Sequence, residues 1–112
     1  MPTIVDICKM IEVQPNEEKQ VTVYVVPPAK QLFVKELSIF FPMGTNFDVE
    51  VWVLWGRKIQ RPTDGSYRGD GNTINVPVED RYWSGQEIEV KVKNNNTTET
   101  KRVLVRLWGE LV

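Results

Sequence analysis

The chain has 112 residues, 41% apolar and 26% charged, with 14 basic residues against 15 acidic ones and a net charge of -1. This is the make-up of a soluble globular domain covering residues 1–112, with enough chain to build a core without metal or disulfide staples. The charge balance lacks the basic excess that phosphate contacts require, which argues against a nucleic-acid partner. The lack of any histidine removes the usual general base, the commonest zinc ligand and the triad imidazole.

The chain opens on "PTIVDICKMIEV", whose apolar run holds Cys8, the one cysteine. One cysteine forms neither an internal disulfide nor a thiolate cluster, and Cys8 is read as a small buried hydrophobe. No apolar run approaches the roughly 20 residues that span a bilayer. The N-terminus also lacks the basic and apolar regions of a secretory signal, so the expectation is a cytoplasmic protein without membrane insertion, or one delivered by another route.

From there the dominant period is two. "QVTVYVV" is a strand rich in β-branched residues. In "KQLFVKELSIFF" the apolar residues Leu32 and Val34 lie on even positions, whereas Leu37, Ile39 and Phe41 lie on odd ones. The inside face changes around Lys35-Glu36, which predicts a β-bulge or a bend that lets one long strand serve two sheets. "FDVEVWVLW" sets Phe47, Val49, Val51, Val53 and Trp55 against Asp48, Glu50, Trp52 and Leu54. "EIEVKVK" sets Ile88, Val90 and Val92 against Glu87, Glu89, Lys91 and Lys93. "KRVLVRLWGELV" sets Val103, Val105, Leu107 and Leu111 against Arg102, Leu104, Arg106, Trp108 and Glu110. Alternation of this kind marks strands with one face on a core.

Turn formers separate the runs: "QPNEEK", "VPPAK", "FPMGTN", "RPTDGS", "GDGN", "WSGQ" and "NNNTT". Strands at this spacing with no helical period between them predict an all-β fold. The best fit is a two-sheet antiparallel β-sandwich of jelly-roll type. An immunoglobulin-like sandwich comes second, since its cysteine pair is missing.

Several motifs invite functional readings. Arg68-Gly69-Asp70 matches an adhesion tripeptide, but it lies in a glycine-rich turn and reads as the lead into "NTINVPV". Asp64, Asp70 and Asn72 offer oxygens of the kind calcium prefers. Their spacing departs from the EF-hand loop and two Asp-Gly turns account for the same letters, so neither metal nor cofactor is assigned. Asn95 and Asn96 head overlapping glycosylation sequons in what reads as a polar hairpin loop. Glu50, Glu87 and Glu89 lie on outward positions opposite lysines, where cross-strand pairing explains them better than a catalytic carboxylate pair does. No catalytic residue is assigned, and no enzymatic activity is expected.

The outward residues Trp52, Leu54, Leu104 and Trp108 form the strongest functional signal, with Arg102 and Arg106 beside them. If their strands are neighbours, they make an aromatic stripe. Such a stripe suits a subunit interface, where aromatics and arginine are enriched. It also suits a platform for stacking sugars, joined by Trp83 or Tyr82. A third possibility is that the register differs, or that the N-terminal segment covers the stripe.

The strings "VPPAKQLFVKELSIFFP", "FDVEVWVLWG" and "GDGNTINVPVEDRYWSGQEIEVKVKNNNTTETKRVLVRLWGEL" resemble, in strand and turn rhythm, small jelly-roll accessory proteins of virus and phage particles: decoration, turret, spike or tail components. The resemblance implies a structural or recognition role on a virion, commonly in a symmetric oligomer. Carbohydrate-binding and adhesin modules share the rhythm, and a glycan ligand is the alternative.

Overall fold

A computed structural model describes residues 3–55, 59–76 and 78–112. Among these residues there is no helix. The strands are β1 (Thr3–Val13), β2 (Glu18–Val25), β3 (Leu32–Phe41), β4 (Val49–Trp55), β5 (Ile59–Arg61), β6 (Asn72–Val76), β7 (Asp80–Tyr82), β8 (Glu87–Asn94) and β9 (Lys101–Leu111). They form two antiparallel sheets packed as a sandwich. One runs β1-β9-β3-β6, with β7 also on β3, and the other runs β2-β8-β4-β5.

The pairing is nested. The first strand pairs the last, β2 pairs β8, β3 pairs β6 and β7, and β4 pairs β5. A long hairpin rolled over on itself gives this order, which is the jelly-roll arrangement. The core forms where the inward residues of the two sheets interdigitate. Val49, Val51, Val53, Ile88, Val90 and Val92 come from one sheet, and Leu32, Ile39, Phe41, Val103, Val105 and Leu107 from the other. β-Branched residues suit this role because their stiff side chains pack well on a pleated surface.

The change of face in β3 is a register shift against β9 between Val34 and Glu36. Leu32 and Val34 are buried before it, and Leu37, Ile39 and Phe41 after it. The expected consequence does not follow, because β3 stays in one sheet. The bulge divides its far edge instead, so that Leu32–Val34 meets β7 and Leu37–Phe41 meets β6. Opposite the bulge stands Gly109, where a Cβ would lie 2.1 Å from the Phe33 carbonyl oxygen. Only glycine allows the two backbones to approach so closely.

Three sequence readings need correction. Phe47 is exposed, because it sits at φ 59° in the turn before β4 and the strand begins only at Val49. Cys8 is exposed as well, since the odd positions of β1 turn toward the core and Cys8 lies on the outer face. "NNNTT" is not a hairpin loop, because β8 and β9 lie in different sheets. The Asn94 side-chain amide, fully buried, donates to the carbonyls of Val13 and Glu99. Its oxygen accepts from the Asn96 amide. A polar side chain with this set of partners lets the chain cross between sheets without orphaned backbone groups. Trp55, assigned to the inward face by the alternation, has its side chain outside the described residues.

A bidentate ion pair ties the two sheets together, and a lysine at the start of β9 binds the neighbouring connections. The Arg61 guanidinium on β5 holds the buried Asp80 carboxylate on β7 through both nitrogens, Nη1 to Oδ2 and Nη2 to Oδ1, the latter at 2.7 Å. The Lys101 ammonium on β9, largely out of solvent, donates to the Gly44 carbonyl at 2.6 Å and pairs with Glu99 at 3.0 Å and Asp48 at 3.7 Å. The hydrogen bond to Glu99 holds its pKa above the usual lysine range, against partial burial.

Candidate interaction surface

The single stripe anticipated from the sequence does not form. β4 and β9 lie in different sheets, so Trp52 and Leu54 are on one outer face of the sandwich and Arg102, Leu104, Arg106 and Trp108 are on the other. Nor does the N-terminal segment cover either tryptophan. β1 lies beside β9 as the next strand of the same sheet, in unbroken register from Thr3↔Leu111 to Val13↔Lys101.

On the face carrying Trp52, the chain itself makes contact with the indole. The Trp52 indole N–H donates to the Gly65 carbonyl at 2.8 Å, and the Lys91 ammonium stands 4.9 Å from the ring centroid. Polar contacts fill the surroundings: Lys91 with Glu18 at 3.3 Å, Gln20 with Glu89, and Arg68 with Glu50 at 2.7 Å. Burial pushes the Glu50 carboxyl up, but hydrogen bonds from Asn95, Arg68 and Ser66 outweigh it and hold its pKa below the ordinary value.

The other face has a different make-up. Register places Met10, Leu104 and Phe40 side by side across β1, β9 and β3. Met10 is 58% exposed and Phe40 38%, while Leu104 is half-buried between them. At one end this apolar band borders a cleft of about 510 Å³ lined by Met10, Met43, Lys101 and Arg102 among others. Next to it lies the row Cys8, Arg106, Ser38 and Asn75, followed by Asp6, Trp108 and Glu36. The Trp108 indole donates to Glu36 Oε2 at 2.7 Å, and the Arg106 guanidinium grips Asp6 at 3.0 Å. Arg102 meets Glu12 at 3.6 Å. An exposed apolar strip with ion pairs at its margins has the anatomy of an interface patch.

Sequence reasoning missed Met10 and Phe40. Both could have been found, Phe40 from its place between the inward Ile39 and Phe41, and Met10 once "IVDICKMIEV" is recognised as a strand.

The remaining candidates are held by structural contacts. Arg68 is bound to Glu50, Gly69 is buried, and Asp70 Oδ1 accepts from the Gly44 amide at 2.8 Å. The tripeptide is therefore held within the connection that leads into β6. A Cβ at Gly69 would meet the Phe41 ring at 2.7 Å, which accounts for its glycine. Asn72 Oδ1 accepts from the Asp70 amide at 2.7 Å, and among the described residues no three acidic or cysteine side chains converge as metal ligands. Asn95 Nδ2 donates to the Asp48 carbonyl and to Glu50, and Asn96 Nδ2 donates to Asp48. Tyr82 is buried, and that burial pushes its phenol well above the ordinary range; it offers no sugar platform. Trp83 is exposed, with the Arg81 guanidinium 5.3 Å from its ring. No helix among the described residues is long and apolar enough to cross a membrane.

No protein-family model matches the chain, and no curated protein does. Among solved structures, a chain in "Structure of infectious bursal disease virus Gt strain" superimposes with a TM-score of 0.55 at 12% identity, over 98% of this chain and 31% of that one. The likeness is one of fold. This chain spans less than a third of that chain's length.

Proposed function

We propose that the protein is a non-enzymatic structural component of a virus particle, which associates with copies of itself through the outer face of the β1-β9-β3 sheet. The observation that carries this reading is the band Met10–Leu104–Phe40, an apolar strip left open on a broad sheet surface. Desolvation of that strip supplies the attraction, and the Arg106–Asp6 and Arg102–Glu12 pairs at its margins fix the register of approach. The fold shared with a chain from a virus structure supports the setting, and the absence of histidine from the sequence supports a non-catalytic role.

Ser38, in the middle of the face, gives the test. In a Ser38→Cys/Cys8→Ser variant, thiol labelling is expected to slow as protein concentration rises and the face becomes covered. Adding Phe40→Ser and Leu104→Ser is expected to remove that dependence. A labelling rate that is the same at every concentration would overturn the reading.

A further inference from the structure

Each sheet has open edges, and three of the four strand positions at those edges are protected by familiar devices. β2 carries a register irregularity between Thr22 and Tyr24 and a charged start, "EKQ". β5 has 3 residues. The far side of β3 is divided between β6, with 5 residues, and β7, with 3. Bulges, charge and shortness all discourage a foreign strand from adding. β1 is neither short nor bulged, and its three charges, Asp6, Lys9 and Glu12, are spread along the strand. It runs for 11 residues without proline or glycine, pairs with β9 at every position, and among the described residues is bonded to no strand on its other side.

The direction of its free backbone groups can be read from one contact. Lys19 Nζ donates to the Glu12 carbonyl at 2.6 Å, so that carbonyl faces away from β9. In an antiparallel strand alternate residues turn both N–H and C=O to the same side. Ile4, Asp6, Cys8 and Met10 therefore present theirs to the open edge.

We propose that this edge is occupied by the β1 strand of a second copy, running antiparallel about a two-fold axis at Ile7. Only registers that keep like faces together are compatible with a continuous sheet. Centring on Lys9 sets Lys9 against Lys9 and Asp6 against Glu12, and centring on Asp6 sets two aspartates face to face; like charges directly opposite are unfavourable. Centring on Cys8 sets Ile4 against Glu12, whose carbonyl Lys19 already occupies.

Centring on Ile7 sets Ile4 against Met10 twice. These two side chains are the large apolar ones that β1 leaves exposed, Ile4 at 69% and Met10 at 58%. They stand at equal distance from Ile7 along the strand, so each covers the other across the two-fold axis. The same register joins Asp6 to Cys8 and gives each free N–H and C=O of residues 4, 6, 8 and 10 a backbone partner. Of the registers centred from Asp6 to Lys9, this one alone is self-complementary, and the pairing does not depend on the outer-face reading.

The test is directed cross-linking of the full chain. Facing residues in such a pair stand about 4.5–5.5 Å apart at Cα, within the range a disulfide bridges. Ile7→Cys/Cys8→Ser is expected to oxidise to a species of twice the 13.0 kDa chain mass that a reductant returns to monomer. Ile7 is half-buried, so a second arm uses exposed positions. Ile4→Cys/Cys8→Ser mixed with Met10→Cys/Cys8→Ser is expected to cross-link, whereas neither does so alone. Absence of cross-links in both arms overturns the pairing, and a Cys8–Cys8 disulfide in the unaltered protein overturns this register. Persistence of the Ile7 cross-link in a Phe40→Ser/Leu104→Ser background separates the edge from the outer face, since failure of that face leaves the cross-link intact.

Discussion

Each outer face of the sandwich carries a half-buried tryptophan at an outward strand position, and the surroundings of the two are unlike. Trp52 has a chain segment folded over it, through Gly65, and a lysine near its ring. Around it are paired charges. Trp108 is held by Glu36 on the adjacent strand, and the same face carries Leu104, Met10 and Phe40, the last two open to solvent. An outward tryptophan in an alternating strand is thus an ambiguous sign. What distinguishes a loop anchor from a contact surface is whether the chain itself supplies the cover, and that is decided by segments far away in sequence.

The comparison can be broken most forcefully at the clasp that holds both faces in place. Arg61→Ala leaves the buried Asp80 carboxylate without its partner. Discounted for the partial exposure of Arg61, the cost is expected to be about 2–4 kcal/mol, read by chemical denaturation. Trp52→Ala comes next, at roughly 2–3 kcal/mol for lost packing and one hydrogen bond, with no change in the protein's association. Trp108→Ala is expected to reverse this pattern, with about 1 kcal/mol lost from the fold and a clear weakening of self-association.

The smallest effect concerns acid. The folded-state pKa of Glu50 lies below its ordinary value of 4.5. Its stabilising contribution is complete above that value and is lost as pH falls through the folded pKa. Glu50→Gln should therefore lower the melting temperature at neutral pH while flattening its decline below about pH 4.5. An acid limb as steep as that of the unaltered protein would count against the Asn95–Arg68–Ser66 cradle.

Much of this architecture was legible in the residues. Alternation in "EIEVKVK" and "KRVLVRLW" identified the inward residues, and the change of parity in "LFVKELSIFF" located the bulge. β1 escaped because its apolar residues, Ile4, Val5, Ile7, Cys8, Met10, Ile11 and Val13, fall on both faces and show no period of two. β5 and β7, with 3 residues each, are too short to show any period. The stripe failed for a different reason. Period two tells which residues share a face of one strand, but it says nothing about which strands are neighbours. Two outward tryptophans were legible, and their separation onto opposite faces was a property of the nested pairing.

The most direct measurement is native mass by light scattering after size exclusion, at two concentrations, for the unaltered protein and for Phe40→Ser/Leu104→Ser. The expected result is a mass that rises with concentration beyond two chains in the unaltered protein. The double variant should stay at two chains or fewer, with its fold intact. Equal masses for the two proteins at both concentrations would contradict assembly through the Trp108 face.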